Sequence, residues 1–155
     1  MKSSPNEKHL EFIENTISRL SDKSFQTRAW CVTVVSALFA FVMSSDRASD
    51  IVSATGTLSV MLTCLFCALD TYYLYLERCY RYLYKKAAGI IPNEPPEYVQ
   101  NYSMDIPASQ RGIKAYFRAM RKTVLFYGPL IVILICLTIF LYGTIMKINV
   151  SNPTP

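Results

Sequence analysis

Residues 123–146 read TVLFYGPLIVILICLTIFLYGTIM, twenty-four consecutive positions without a charge. As a helix rising about 1.5 Å per residue, this stretch is about 36 Å long, against a bilayer hydrocarbon core of roughly 30 Å. Two further uncharged runs lie upstream: 51–69, IVSATGTLSVMLTCLFCAL, and 29–45, AWCVTVVSALFAFVMSS. They extend about 29 and about 26 Å by the same rise. The 155-residue chain is 52% hydrophobic and 17% charged, with mean hydropathy +0.22, and its apolar excess is concentrated in these three runs. That distribution excludes an ordinary soluble enzyme built on one water-exposed core. The expected class is an all-α membrane protein: three transmembrane helices with long cytoplasmic helical extensions.

The 16 Lys and Arg against 11 Asp and Glu leave a net charge of +5. On a soluble domain this excess would suggest a nucleic-acid partner, but its placement argues otherwise. Five basic residues precede the first run (Lys2, Lys8, Arg19, Lys23, Arg28). Nine lie between the second and third (Arg78, Arg81, Lys85, Lys86, Arg111, Lys114, Arg118, Arg121, Lys122), leaving Arg47 and Lys147 elsewhere. The positive-inside rule then puts the N-terminus and the 70–122 segment in the cytoplasm, with the 46–50 loop and the C-terminal tail outside. A bacterial inner-membrane location is expected, with the lipid bilayer as partner and no nucleic acid. The first run follows 28 mostly polar residues and no small-residue cleavage motif follows it, so it is expected to stay in the product.

Ser4-Pro5-Asn6-Glu7 has the form of a capping box with proline at the first helical position. Leu10, Ile13, Ile17 and Leu20 then recur at helical spacing and form one apolar stripe. Such a stripe either lies on the membrane surface or packs on helices. Glu7, Glu11, Glu14 and Asp22 favour packing, because surface-seeking helices are usually cationic on the polar face. No Gly or Pro interrupts Asn6 to Gly56, so this helix is expected to run directly into the first span. The second span is expected to continue through Asp70 to about Ala88, where Gly89 and Pro92 end it.

The predicted organisation follows from these signals. Residues 1–28 form a cytoplasmic amphipathic helix, 29–45 the first span, 46–50 an external turn and 51–70 the second span. A Tyr- and Arg-rich cytoplasmic helix covers 71–89, and a linker holding four of the eight prolines covers 90–108. Ser109 is expected to cap a basic amphipathic lead-in over 109–122. The third span, 123–146, carries Pro129 in its first turns as an expected mild kink, and 147–155 is an external tail. The Leu130–Ile135 run has no polar face and is expected to meet lipid.

Asp70 borders the second span on a continuing helix, and acids at membrane depth are functional candidates by default. Its position at the inner boundary suits an inter-helix ion pair with Arg28 at the mouth of the first span; a gating or ion-path role is the competing reading. Thr55, Ser59, Thr63, Cys67 and Thr71 recur every four residues along the second helix. Thr33, Ser36, Ala37, Ala40 and Ser44 make a similar small face on the first. Small and hydroxyl residues let helices approach closely and bond across the contact. Packing of the two spans on each other, or the lining of an oligomeric pore, accounts for both stripes. Six tyrosines fall between Asp70 and Lys85 (Tyr72, Tyr73, Tyr75, Tyr80, Tyr82, Tyr84). An interfacial belt accounts for the first of them. Tyr80 to Tyr84 lie about 15 to 21 Å past Asp70, which suits packing against the N-terminal helix or a neighbouring subunit.

Catalytic residues are not expected. His9 is the sole histidine, placed outside the membrane on a polar helix, and no nucleophilic triad, paired carboxylate, phosphate loop or HExxH arrangement occurs. Cys64-x-x-Cys67 matches half of a metal signature without a second pair, so neither a metal nor another cofactor is expected. Cys31, Cys79 and Cys136 read as small hydrophobes.

His9-Leu10-Glu11-Phe12-Ile13, Ser24-Phe25-Gln26 before Trp30, and Leu69-Asp70-Thr71-Tyr72-Tyr73-Leu74 with Glu77-Arg78 and Tyr82-Leu83-Tyr84 resemble a group of small bacterial integral membrane proteins. More loosely, the layout of cytoplasmic helix, two spans and an emerging basic-aromatic helix resembles the two-transmembrane SLATT effector domains, from which the third span departs. That resemblance implies an oligomeric effector or pore-forming component in bacterial defence or stress response. The alternative is a non-conducting scaffold or accessory subunit that binds a cytoplasmic protein through the Tyr-rich helix and the linker. No functional residue is carried over from either family.

Overall fold

The computed structural model describes residues 5–44, 49–90, 104 and 112–151, and these form three helices without a strand: α1 (Pro5–Ser44), α2 (Ser49–Ala87) and α3 (Ile113–Ser151). Each contains a segment long and apolar enough to cross a membrane. The chain is therefore a multi-pass membrane protein of all-α class. Several expectations fall outside the described residues: the Ser4 cap, positions 46–48 of the turn, the linker other than Ile90 and Met104, the Ser109 cap, and the last four residues of the tail.

α1 runs unbroken from the polar N-terminal segment through the first apolar run, as the absence of Gly and Pro requires. α2 likewise carries the second apolar run into the tyrosine-rich segment. It starts at Ser49, so Ser49 and Asp50 of the predicted turn belong to its first turn. Its end is a Schellman cap. The Gly89 N–H donates to the Lys86 carbonyl at 3.1 Å and the Ile90 N–H to the Lys85 carbonyl at 3.0 Å. Gly89 sits at φ 68°, a left-handed conformation that costs glycine nothing and any other residue steric energy. α3 passes through Pro129 without interruption. Its first turn is closed by the Gly112 carbonyl, which accepts from the N–H groups of Ala115 and Tyr116 at 3.1 and 3.2 Å.

The chain divides into two compact units, Met1–Gln26 with Asp70–Arg121, and Thr27–Leu69 with Lys122–Pro155. In the first unit the buried side chains are His9, Ile13, Ser24, Asp70, Thr71, Glu77, Cys79, Leu83 and Ala119. Tyr75 of α2 meets Tyr116 of α3 edge-on, with centroids 6.2 Å apart, a favourable arrangement of ring quadrupoles. In the second unit Cys31, Val35, Tyr127 and Leu134 form one buried cluster, flanked by Phe39, Val60, Phe66, Cys67 and Leu130. Val42, Val52 and Ile145 form another. Between α2 and α3, Gly56 fits against Thr138 so closely that a Cβ on Gly56 would lie 3.0 Å from the Thr138 Cβ and closer still to both γ atoms. Large apolar side chains of α3 point away from these clusters, among them Leu125, Val132, Ile133, Ile139 and Phe140. Water would oppose such a surface, whereas lipid tails accept it.

Candidate functional site

The first unit gathers an unusual set of buried polar groups. Asp70 has no accessible surface, and the Ser24 hydroxyl donates to its carboxylate. Ser24 continues the stripe Ile13, Ile17, Leu20 by four more residues, so the periodicity that packs α1 also delivers a hydroxyl to the carboxylate. Sequence reasoning stopped the stripe at Leu20 and missed it. His9, four residues before Ile13 on the same stripe, is buried as well. Both could have been found by extending the 3.6-residue period one turn each way. A buried carboxylate persists only with partners, and the hydroxyl from α1 supplies one, which ties α1 to α2.

Thr71, adjacent to Asp70, is also fully buried, and Glu77 is nearly so. The Arg81 guanidinium donates from Nε to Glu77 Oε1 at 2.7 Å, one helical turn along, with Arg81 itself largely exposed. Arg28, the expected partner of Asp70, belongs to the second unit, where its guanidinium stands 5.4 Å over the Phe126 ring in a cation–π contact.

The stripe on the second helix separates into its two ends. Ser59 and Thr63 are fully buried in the second unit, and Thr55 and Cys67 are half-buried there, while Thr71 lies in the first unit. Two of the hydroxyls bond within α2: Ser59 donates to the Thr55 carbonyl at 2.8 Å and Thr63 to the Ser59 carbonyl at 2.7 Å. This back-bonding satisfies both hydroxyl protons within α2, and Thr63 also meets the Cys31 thiol of α1. The small face of α1 behaves oppositely. Thr33, Ser36, Ala37 and Ala40 are all exposed, with the Thr33 hydroxyl bonded to the Ala29 carbonyl at 2.9 Å. Within one copy the centre of the α2 stripe is buried, whereas the α1 face is exposed.

Of the Cys64–Cys67 pair, Cys64 is exposed and Cys67 half-buried. Among the described residues no group of three or more His, Cys, Asp or Glu side chains is gathered closely enough to hold a metal ion. Neither a family model, nor a curated protein, nor a solved structure matches this sequence significantly.

Proposed function

We propose that the chain is a small oligomeric protein of the bacterial inner membrane, with its N-terminus in the cytoplasm and its C-terminus outside, acting as an effector or pore-forming component in defence or stress response. The observation that carries the reading is the exposed small face of α1, Thr33, Ser36, Ala37 and Ala40. In lipid, helices associate through small residues that allow close backbone approach, and this face is not used within one copy. Its two hydroxyls also make it the surface a pore would present to water. The orientation is supported by the 14-to-2 distribution of basic residues, and the defence role by the resemblance to SLATT domains.

Size measurement of the purified protein in detergent, beside Ser36→Leu/Ala40→Leu, tests assembly: multimers reduced to monomers by the substitutions support the reading, and a wild-type monomer refutes it. Inducible expression with a membrane-potential dye tests conduction. Depolarisation that the same substitutions abolish is the expected result; an unchanged potential under every trigger refutes the pore. A second reading, a non-conducting scaffold that engages a cytoplasmic protein, is favoured by the burial of Ser59, Thr63 and Asp70 within the protomer. It predicts assembly without depolarisation.

A further inference from the structure

Lys114, Arg118 and Arg121 stand at i, i+4 and i+7 on the first turns of α3, a spacing that puts them on one face. All three are exposed, and among the described residues none makes an ion pair or hydrogen bond. α3 has no acidic residue anywhere along its length, so no charge of its own helix offsets them. The extramembrane turns of α1 differ in this respect, since Glu7, Glu11, Glu14 and Asp22 are interspersed there with Lys8, Arg19 and Lys23. Beside the basic stripe, Ile113 is 75% and Phe117 54% exposed. The stripe ends at Arg121, two residues before the uncharged run that begins at Thr123. The opposite side of the helix is occupied: Ala119 is buried and Tyr116 packs on Tyr75.

Exposed cations, without an ion pair among the described residues, beside exposed apolar side chains and one turn from a membrane span match the chemistry of a lipid headgroup layer. Anionic phosphates there attract Lys and Arg, the guanidinium forks bond phosphate oxygens in pairs, and apolar side chains enter the acyl boundary. We propose that this face of α3 is a binding site for anionic phospholipid headgroups, with Arg118 and Arg121 contacting phosphate, Lys114 adding longer-range attraction, and Phe117 and Ile113 seated at the acyl boundary. The site rests on α3 spanning the bilayer and is independent of which side of the membrane its N-terminal end faces. It holds the third helix at a defined depth in membranes rich in anionic lipid.

The test reconstitutes the full chain in vesicles and measures competition between spin-labelled phosphatidylglycerol and phosphatidylcholine for the protein's lipid shell. Wild type is expected to prefer phosphatidylglycerol, with a preference that weakens as salt rises. The K114Q/R118Q/R121Q variant is expected to lose at least about fivefold of that preference, the effect of one fully counted basic residue near a charged surface. R118K/R121K, which keeps the charge, retains most of it. No preference in wild type overturns the proposal. So does a triple variant of wild-type helicity that keeps the preference, which would leave the stripe to a soluble partner. Should the triple variant fail to reconstitute, R118Q and R121Q are measured singly, and an unchanged preference in both has the same meaning. Resistance of the vesicle-bound chain to carbonate extraction is scored in parallel. Its loss would indict the spanning helix rather than the headgroup site.

Discussion

Gly56→Ala is the substitution whose outcome depends most directly on how α2 meets α3. Inside a helix, alanine is favoured over glycine by up to about 1 kcal/mol, so on propensity alone the change would stabilise the protein. The packing says otherwise. The new Cβ would lie 3.0 Å from the Thr138 Cβ and nearer to its Cγ2 and Oγ1. Thr138 cannot simply turn aside: both γ branches are in the way, and its Oγ1 donates to the Leu134 carbonyl at 2.8 Å. The helices must separate locally, and overpacking of this kind costs about 1–3 kcal/mol. The net expectation is a loss of about 1 kcal/mol for Gly56→Ala and more than about 3 kcal/mol for Gly56→Leu, where the clash grows without further gain in propensity. The assay is reversible unfolding in mixed micelles, followed through helicity and the fluorescence of Trp30. A double-mutant cycle adds the decisive measurement. Thr138→Ala removes the two closest atoms, so Gly56→Ala/Thr138→Ala should recover at least about 0.5 kcal/mol relative to additivity. A Gly56→Ala protein more stable than wild type, with additive behaviour in the cycle, would refute the contact between these two positions.

Three other substitutions probe the remaining features. Ser24→Ala takes a hydrogen bond from the buried Asp70 carboxylate and is expected to cost about 1–3 kcal/mol in the same unfolding assay; a neutral result would mean that the pair does not hold α1 to α2. Thr63→Val deletes a hydroxyl that bonds the Ser59 carbonyl of its own helix and also meets the Cys31 thiol of α1, so a cost of about 1 kcal/mol and an unchanged membrane potential are expected. An altered conductance would show that the α2 stripe meets water. Gly89→Ala places a Cβ where nothing lies within 4 Å, so its expected cost of about 1–2 kcal/mol is conformational. Thermal unfolding of Gly89→Ala beside Gly89→Asn checks this, since asparagine tolerates the left-handed region better and should lose less.

The length of each uncharged run and the absence of helix breakers were enough to read three long helices, each apolar enough to cross a membrane, from the amino-acid order. The reason is local: a backbone in lipid must satisfy its own hydrogen bonds, and a run of about twenty apolar residues can do so only as a helix. Gly89 could be read as a stop for a similar reason, because a Schellman turn needs a residue that accepts a positive φ. Candidate residues were legible to a lesser depth. Asp70 stood out as an acid at the end of an apolar run, and Ser59 and Thr63 by their four-residue spacing. Ser24 and His9 did not stand out, since polar residues on an apolar stripe look like its ends.

Which face of each helix turns inward was decided only by tertiary structure. The second helix buries Ser59 and Thr63, while the first leaves Thr33, Ser36, Ala37 and Ala40 outside and buries Cys31, Val35 and Val42 instead. In water the hydrophobic effect would have made that choice from the pattern of polarity. Between helices that are apolar all round, lipid offers no such preference, and the choice falls to close packing, to the fit of Thr138 against Gly56 and to hydroxyls that bond within their own helix. These depend on pairs of residues far apart in the chain, which composition and period cannot identify.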